Sequence, residues 1–243
     1  MTSIQKPTFQ TAPLSGNQQE QGGSQGFTAP LGSTDMNMNL PELKVSRPLK
    51  VPSGVSSNTK QHVLLVRDCS SSMSGSKINE LNLASSALVQ ELASPENKEG
   101  FLLSIIEFNT SASRSAFAAS ANTLNLPTAT AGGGTSFDSA LSETIRAVQE
   151  FTSRPNPDGW QYLRSQVLFL SDGQSSVSSH NIQALQEIAD VTTIGYGSDA
   201  DTGTLSRIAS DGRVHVIGTN GGDLRKFLAD VGQTLSQSLV AAR

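Results

Sequence analysis

Asp68, Ser70 and Ser72 stand at alternate positions in the run Asp68-Cys69-Ser70-Ser71-Ser72-Met73. One carboxylate and two hydroxyls offer hard oxygen, which suits Mg²⁺, Mn²⁺ or Ca²⁺. The same residue types also cap helices and make turns, because their oxygens accept hydrogen bonds from free backbone N–H groups. Two later segments shift the balance towards a metal. Gly132-Gly133-Gly134-Thr135-Ser136-Phe137-Asp138 places the Thr135 hydroxyl just before a helical pattern at Leu141, Ile145, Val148 and Phe151. Val167-Leu168-Phe169-Leu170-Ser171-Asp172-Gly173 is an apolar run that ends in a carboxylate and a glycine.

The elements around these residues decide whether the oxygens can meet. Val63-Leu64-Leu65-Val66, just before Asp68, is branched, apolar and too short for a helix, so it reads as a buried strand. After the serines, Ile78, Leu81, Leu83, Ala84, Ala87, Leu88 and Leu92 have helical spacing. Strands are predicted at 62–67, 101–108, 166–171, 191–196 and 213–217. Helices are predicted at 77–93, 137–152, 181–188, 202–210 and 222–240. This alternation implies βαβ units, hence a Rossmann-like, doubly wound, mostly parallel sheet with helices on both faces. In such sheets, loops at the carboxyl ends of strands converge in one crevice, where ligands bind. Asp138, one turn beyond Thr135, is read as a cap of its own helix. Glu107 and Asn109, at a predicted strand end, are candidates to back the ligands. Segment 153–165 reads as a loop, with Trp160 as its packing anchor.

These residues resemble a von Willebrand factor type A domain. The resemblance runs from about Lys60 to Val240. That family's metal-ion-dependent adhesion site uses an Asp-x-Ser-x-Ser loop, a later Thr and a later Asp. By position these match Asp68, Ser70 and Ser72, then Thr135, then Asp172. Thr192-Thr193-Ile194-Gly195-Tyr196-Gly197 is similar to the family's fifth strand. Asp199-Ala200-Asp201, followed by Leu205, Ile208 and Ala209, is similar to the loop and helix after it. The resemblance also implies a short antiparallel edge strand near 114–119. Many members carry Gly where this chain has Ser71. Ser71 is not a matched ligand, so that departure concerns the shape of the loop and not the ligand set.

Bulk properties narrow the function. The 243 residues carry a net charge of −4 and 5% aromatics. The chain therefore has neither a basic stripe nor a stacking platform for nucleic acid. Cys69 is the sole cysteine, so no intrachain disulfide forms, and it reads as a small buried residue facing away from the site. His62, His180 and His215 form no zinc spacing, and structural roles are expected for His62 and His180. No apolar run reaches the ~18 residues of a membrane span. Met1-Thr2-Ser3-Ile4-Gln5-Lys6 shows no apolar secretory core, so cytoplasm is the expected location. Residues 1–31, rich in Gln, Gly, Ser and Pro, read as a disordered tail. Residues 32–59 read as an extended arm or edge strand, and 60–243 as the domain.

Two function classes follow. In the first, the cation left partly uncompensated by neutral hydroxyls is completed by an Asp or Glu of a partner protein, as the resemblance implies, and the chain is a binding module rather than an enzyme. Mg²⁺ is the expected ion, with Mn²⁺ or Ca²⁺ as alternatives. The second is a metal-assisted phosphoryl hydrolase. It stands behind, because position 70 is Ser where an Asp-x-Asp pair would be needed, and Arg67 and Lys77 only border the loops. A phosphate-cradling Gly-x-x-x-x-Gly-Lys-Ser/Thr loop is absent. Within the binding class, the chain resembles intracellular bacterial members such as the tellurite-resistance TerY-like group, which act as adaptors beside ATPases, kinases or phosphatases. An extracellular adhesion module is the other setting.

Overall fold

The computed structural model describes residues 58–220 and 222–242. The tail and all but the last two residues of the arm lie outside the described residues.

β1 (Thr59–Asp68) is buried along nearly its whole length, and its side chains alternate between two faces. Val63 and Leu65 join one core with α1 (Ser76–Leu92) and α5 (Asp223–Ala241). Leu64 and Val66 join a second core with α2 (Phe137–Ser153), α3 (Ser179–Ile188) and α4 (Thr202–Ile208). Cover on both faces explains why this strand is a continuous apolar run and not an alternating one.

The remaining strands are β2 (Phe101–Phe108), β3 (Ala112–Ser120), β4 (Gln161–Ser171), β5 (Ala189–Tyr196) and β6 (Val214–Ile217). They form one sheet in the order β3-β2-β1-β4-β5-β6. Every neighbouring pair is parallel except β2 with β3. The edge strand implied near 114–119 is therefore present as β3. From β1 the chain steps to β2 on one side, then returns past β1 to β4 on the other. That reversal leaves a crevice between the carboxyl ends of β1 and β4, the switch point of an open α/β sheet.

Local chemistry sets the helix starts that matter for the site. Ser136 caps α2, its side chain accepting from the Ser139 N–H at 3.3 Å. Ser178 caps α3, and Asp201 caps α4. Asp138 is not the cap of its own helix. It lies in the first turn of α2 and accepts from the Ser178 N–H at 3.0 Å and from Asn181 Nδ2 at 2.9 Å. These bonds pin the start of α3 to α2, and the Ser178 amide holds the Asp138 carboxyl below its usual range.

β4 begins five residues before the predicted strand. Gln161–Arg164 are mostly polar and at most partly covered, and Ser165 is buried but polar, so hydrophobicity does not mark them. Thr59, Lys60 and Gln61 of β1 extend the ladder onto Gln161, Tyr162 and Leu163. The loop before β4 is correspondingly shorter. Trp160 closes it, with Nε1 on Asp158 at 3.1 Å and Lys60 Nζ 4.0 Å from the ring centroid.

His62 lies inside β1. It is fully buried, between Ser104 Oγ at 2.8 Å and Ser165 Oγ at 3.2 Å, and stacked on Phe151 at 4.0 Å. His180 is exposed on α3, and His215 packs against Phe227. Burial, reinforced by Arg154 and Arg114, pushes the His62 pKa down to about 3. The folded value lies below the unfolded one, so the contribution of His62 to stability is fully present above pH 6.5. It is lost as pH falls from 6.5 towards 3, at about 1.4 kcal/mol per pH unit. Urea unfolding at pH 7 and pH 5 should show this fall in the wild type. His62→Gln should flatten it over the same interval, and an equal fall in both proteins would contradict the assignment.

Candidate metal centre

β1 ends at Asp68 and β4 at Ser171, and these strands are direct neighbours with Arg67 opposite Leu170. The register sets Asp68 beside Ser171, with Asp172 one residue on. The Ser171 hydroxyl donates to Asp68 Oδ2 at 2.5 Å, and the Ser70 N–H donates to Asp68 Oδ1 at 2.8 Å. Ser70 and Ser72 share a hydrogen bond of 2.9 Å between their hydroxyls. The Ser72 hydroxyl donates to Asp172 Oδ1 at 2.7 Å. Residues 100 positions apart thus close one chain of oxygens.

Thr135 arrives from the third loop. A Cβ added to Gly173 would stand 3.4 Å from Thr135 Oγ1 and 3.7 Å from Asp68 Oδ2. Gly173 therefore leaves a gap between the first and third loops that any side chain would begin to fill. All five expected ligands, Asp68, Ser70, Ser72, Thr135 and Asp172, are brought together at this crevice. Asp68, Ser70 and Asp172 are buried, Thr135 is half-buried and Ser72 is exposed. The sequence pattern places Asp68 on a surface-facing loop, but it is fully covered, because it is the last residue of a central strand. Burial pushes its carboxyl pKa up, partly offset by the bonds from Ser171 and Ser70.

The Thr135 loop is clamped from two sides. The Ser71 N–H and hydroxyl both donate to Gly133 O, at 3.0 and 2.8 Å. Ser71 has no positive φ, so the loop does not require glycine there, and its side chain adds a tie that glycine would lack. Gly133 has φ +80, and a Cβ on it would meet Thr110 Oγ1 at 3.1 Å. The Thr110 hydroxyl accepts from the Gly134 N–H at 2.8 Å. Asn109 O accepts from the Ser136 N–H at 2.7 Å, so Asn109 does back the loop, through its carbonyl. Glu107 does not reach the ligands. It pairs with the buried Arg67 and accepts from Ser115 Oγ. Cys69 lies beneath, with Sγ 3.6 Å from Arg67 O, and burial pushes its thiol up to about 12.

Ser171 has no place in the sequence pattern, and Lys77, which that pattern sets only at the border of the loops, lies in the site itself. Ser171 seats Asp68, and its signal lies only in the pairing of β1 with β4. Lys77, in the first turn of α1, donates to Asp172 Oδ2 at 2.5 Å. Its ammonium shows that the crevice accepts a cation against Asp172.

The donor set fits a hard divalent ion. Two carboxylates and three hydroxyls supply oxygen alone. Among the described residues no group of three or more His, Cys, Asp or Glu gathers, so a soft-metal cage has no counterpart. Asp68→Asn should remove Mg²⁺ binding measured by calorimetry, while the metal-free protein still unfolds cooperatively. Gly173→Val leaves every ligand intact but fills the gap beside Thr135, and should weaken Mg²⁺ binding. Wild-type affinity in both variants would place the ion elsewhere.

Comparison with known proteins agrees with this fold. No curated protein sequence matches the chain. A von Willebrand factor type A protein from Catenulispora acidiphila superposes with a TM-score of 0.53 at 18% identity, covering 75% of this chain and 43% of that one. Proximal thread matrix protein 1 from the mussel byssus, with a zinc-occupied MIDAS motif, gives 0.56 at 18% identity, covering 75% and 47%. The pilus adhesin SpaC from Lactobacillus rhamnosus GG gives 0.60 at 10% identity, covering 75% and 30%. The chain thus spans less than half the length of each of these three. The family model of the von Willebrand factor type A domain matches residues 62–229, well over half of the sequence, and the chain belongs to that family.

Proposed function

We propose that the domain is a metal-dependent protein-binding module and not an enzyme. Ser70, Ser72 and Thr135 hold one Mg²⁺ through their hydroxyls, with Asp68 and Asp172 holding it directly or through water. A bound ion supplies positive charge that three neutral hydroxyls leave partly uncompensated, and this charge draws an Asp or Glu of a partner protein. Asp68 and Asp172 form the buried floor, while Ser72 and Thr135 form the accessible side. A carboxylate therefore approaches past hydroxyls and not past like charge.

The observation that carries this reading is the chain of oxygens running from Asp68 through Ser70 and Ser72 to Asp172, with Thr135 beside it. Phosphoryl hydrolysis needs a nucleophile beside a general base and a group for developing charge. Among the described residues the ammonium at the site is that of Lys77, and it is bound to Asp172. The setting we favour is an intracellular adaptor of the TerY-like kind, beside an ATPase, kinase or phosphatase. The byssal protein and the pilus adhesin suggest extracellular adhesion instead, but at 18% and 10% identity their likeness supports the fold alone.

Thr135 is the sharpest probe. Among the described residues no hydrogen bond engages its hydroxyl. Its loss should therefore cost at most ~1 kcal/mol of stability. Affinity purification with the full chain, followed by mass spectrometry, should recover a partner in Mg²⁺ and lose it in EDTA. Thr135→Ala should lower that recovery while thermal unfolding stays close to wild type. A partner kept at full strength in EDTA and by Thr135→Ala would show that binding uses another surface.

A further inference from the structure

The four carboxylate oxygens of the site are all engaged. Asp68 Oδ1 accepts from the Ser70 N–H and Oδ2 from Ser171 Oγ, at 2.8 and 2.5 Å. Asp172 Oδ1 accepts from Ser72 Oγ at 2.7 Å and Oδ2 from Lys77 Nζ at 2.5 Å. Three of these donors are neutral. Lys77 is the exception, and it holds a carboxylate with no solvent-exposed surface. Its own side chain remains 23% exposed.

The dipole of α1 does not favour a lysine at this position. A helix start is its positive end, where a cation is unfavourable and an acidic residue favourable. The first turn of α1 has no acidic residue and carries Lys77 instead. Lys77 therefore sits against the helix preference, and its partner is Asp172. Its stem runs alongside the turn at Gly197, where an added Cβ would lie 3.7 Å from Nζ.

A tethered ammonium on Asp172 has two consequences for a divalent ion. It repels the ion at short range, so the ion binds less tightly than two carboxylates alone would allow. It also occupies Oδ2, which leaves Asp172 able to offer a single oxygen. Mg²⁺ takes six ligands in a strict octahedron and suits one-oxygen carboxylates and waters. Ca²⁺ takes six to eight ligands and gains from carboxylates that offer both oxygens.

We infer that Lys77 is a built-in competing cation that weakens divalent binding and biases the site towards Mg²⁺ over Ca²⁺ by holding Oδ2 of Asp172, so that only Oδ1, bound to the neutral Ser72 hydroxyl, is left to face the ion. This rests on the reading that the site binds a divalent ion. Lys77 acts through Asp172 and is a positioning residue, not a ligand.

The test is calorimetric titration of the full chain with MgCl₂ and with CaCl₂, for wild type, Lys77→Met, Lys77→Gln and Lys77→Arg. Lys77→Met should tighten Ca²⁺ binding by roughly tenfold or more, the scale expected when a charge is removed from a partly buried site. It should tighten Mg²⁺ less, so the preference for Mg²⁺ over Ca²⁺ narrows. Lys77→Gln keeps an N–H donor without the charge and should follow Lys77→Met. Lys77→Arg keeps the charge and should follow wild type. Thermal unfolding in EDTA checks that each variant is folded. If wild type binds Mg²⁺ and the two neutral variants bind neither ion more tightly than wild type does, the role given to Lys77 is wrong and the metal site stands. Binding by the neutral variants but not by wild type would support the role of Lys77 and sink metal-dependent partner capture. If no variant binds either ion, both readings fail.

Discussion

The parallel pairing of β1 with β4 is the constraint on which the site depends. Arg67 opposite Leu170 places the end of one strand beside the end of the other. Asp68 and Asp172 then share one crevice although a hundred residues separate their loops. A one-residue slip would turn each side chain of one strand to the opposite face. It would also break both apolar cores, because Leu64 and Val66 would exchange faces with Val63 and Leu65. The two packed faces fix the register, and the register fixes the distance between the carboxylates. Stability and site geometry are therefore the same fact seen from the middle and from the end of the sheet.

Around that fixed floor the remaining oxygens are held by a different kind of force. Ser70 and Ser72 follow β1 into a tight turn, and hydrogen bonds tie them to Asp172 rather than apolar contacts. The Thr135 loop is positioned by Ser71, Thr110 and Asn109, all through backbone groups of residues 133–136. Such a loop can shift by exchanging a few hydrogen bonds, whereas the Asp68 end of β1 cannot move without disturbing the core. The floor is rigid and the rim is adjustable. That division suits the proposed role, in which a cation sits on the floor while a carboxylate is fitted from outside.

Much of this was legible from residue order, for identifiable reasons. Branched apolar runs marked β1, β2 and the inner half of β4, because burial on both faces demands them. The outer half of β4 was not marked, since Gln161 to Arg164 are held by the ladder with β1 and not by burial. The five expected ligands could be picked out because each sits near a strand end or helix start, where the sequence pattern changes. Ser171 and Lys77 escaped because their roles depend on which strand lies next to which, information that no local window carries. Asp138 escaped for the same reason: its position favours its own helix, yet its oxygen meets Ser178 and Asn181 some forty residues on. Glu107 was drawn away from the ligands by Arg67, whose buried side chain takes it as partner.

A crystal grown with Mn²⁺ and measured at the manganese absorption edge tests the central claim most directly. Manganese prefers the same oxygen donors as magnesium and reveals its own position. The expected result is a single anomalous peak within bonding distance of the hydroxyls of Ser70, Ser72 and Thr135, with Asp68 and Asp172 beside it. An anomalous peak bound elsewhere on the domain, or none at saturating Mn²⁺ with these five oxygens linked only to one another and to Lys77, would contradict it.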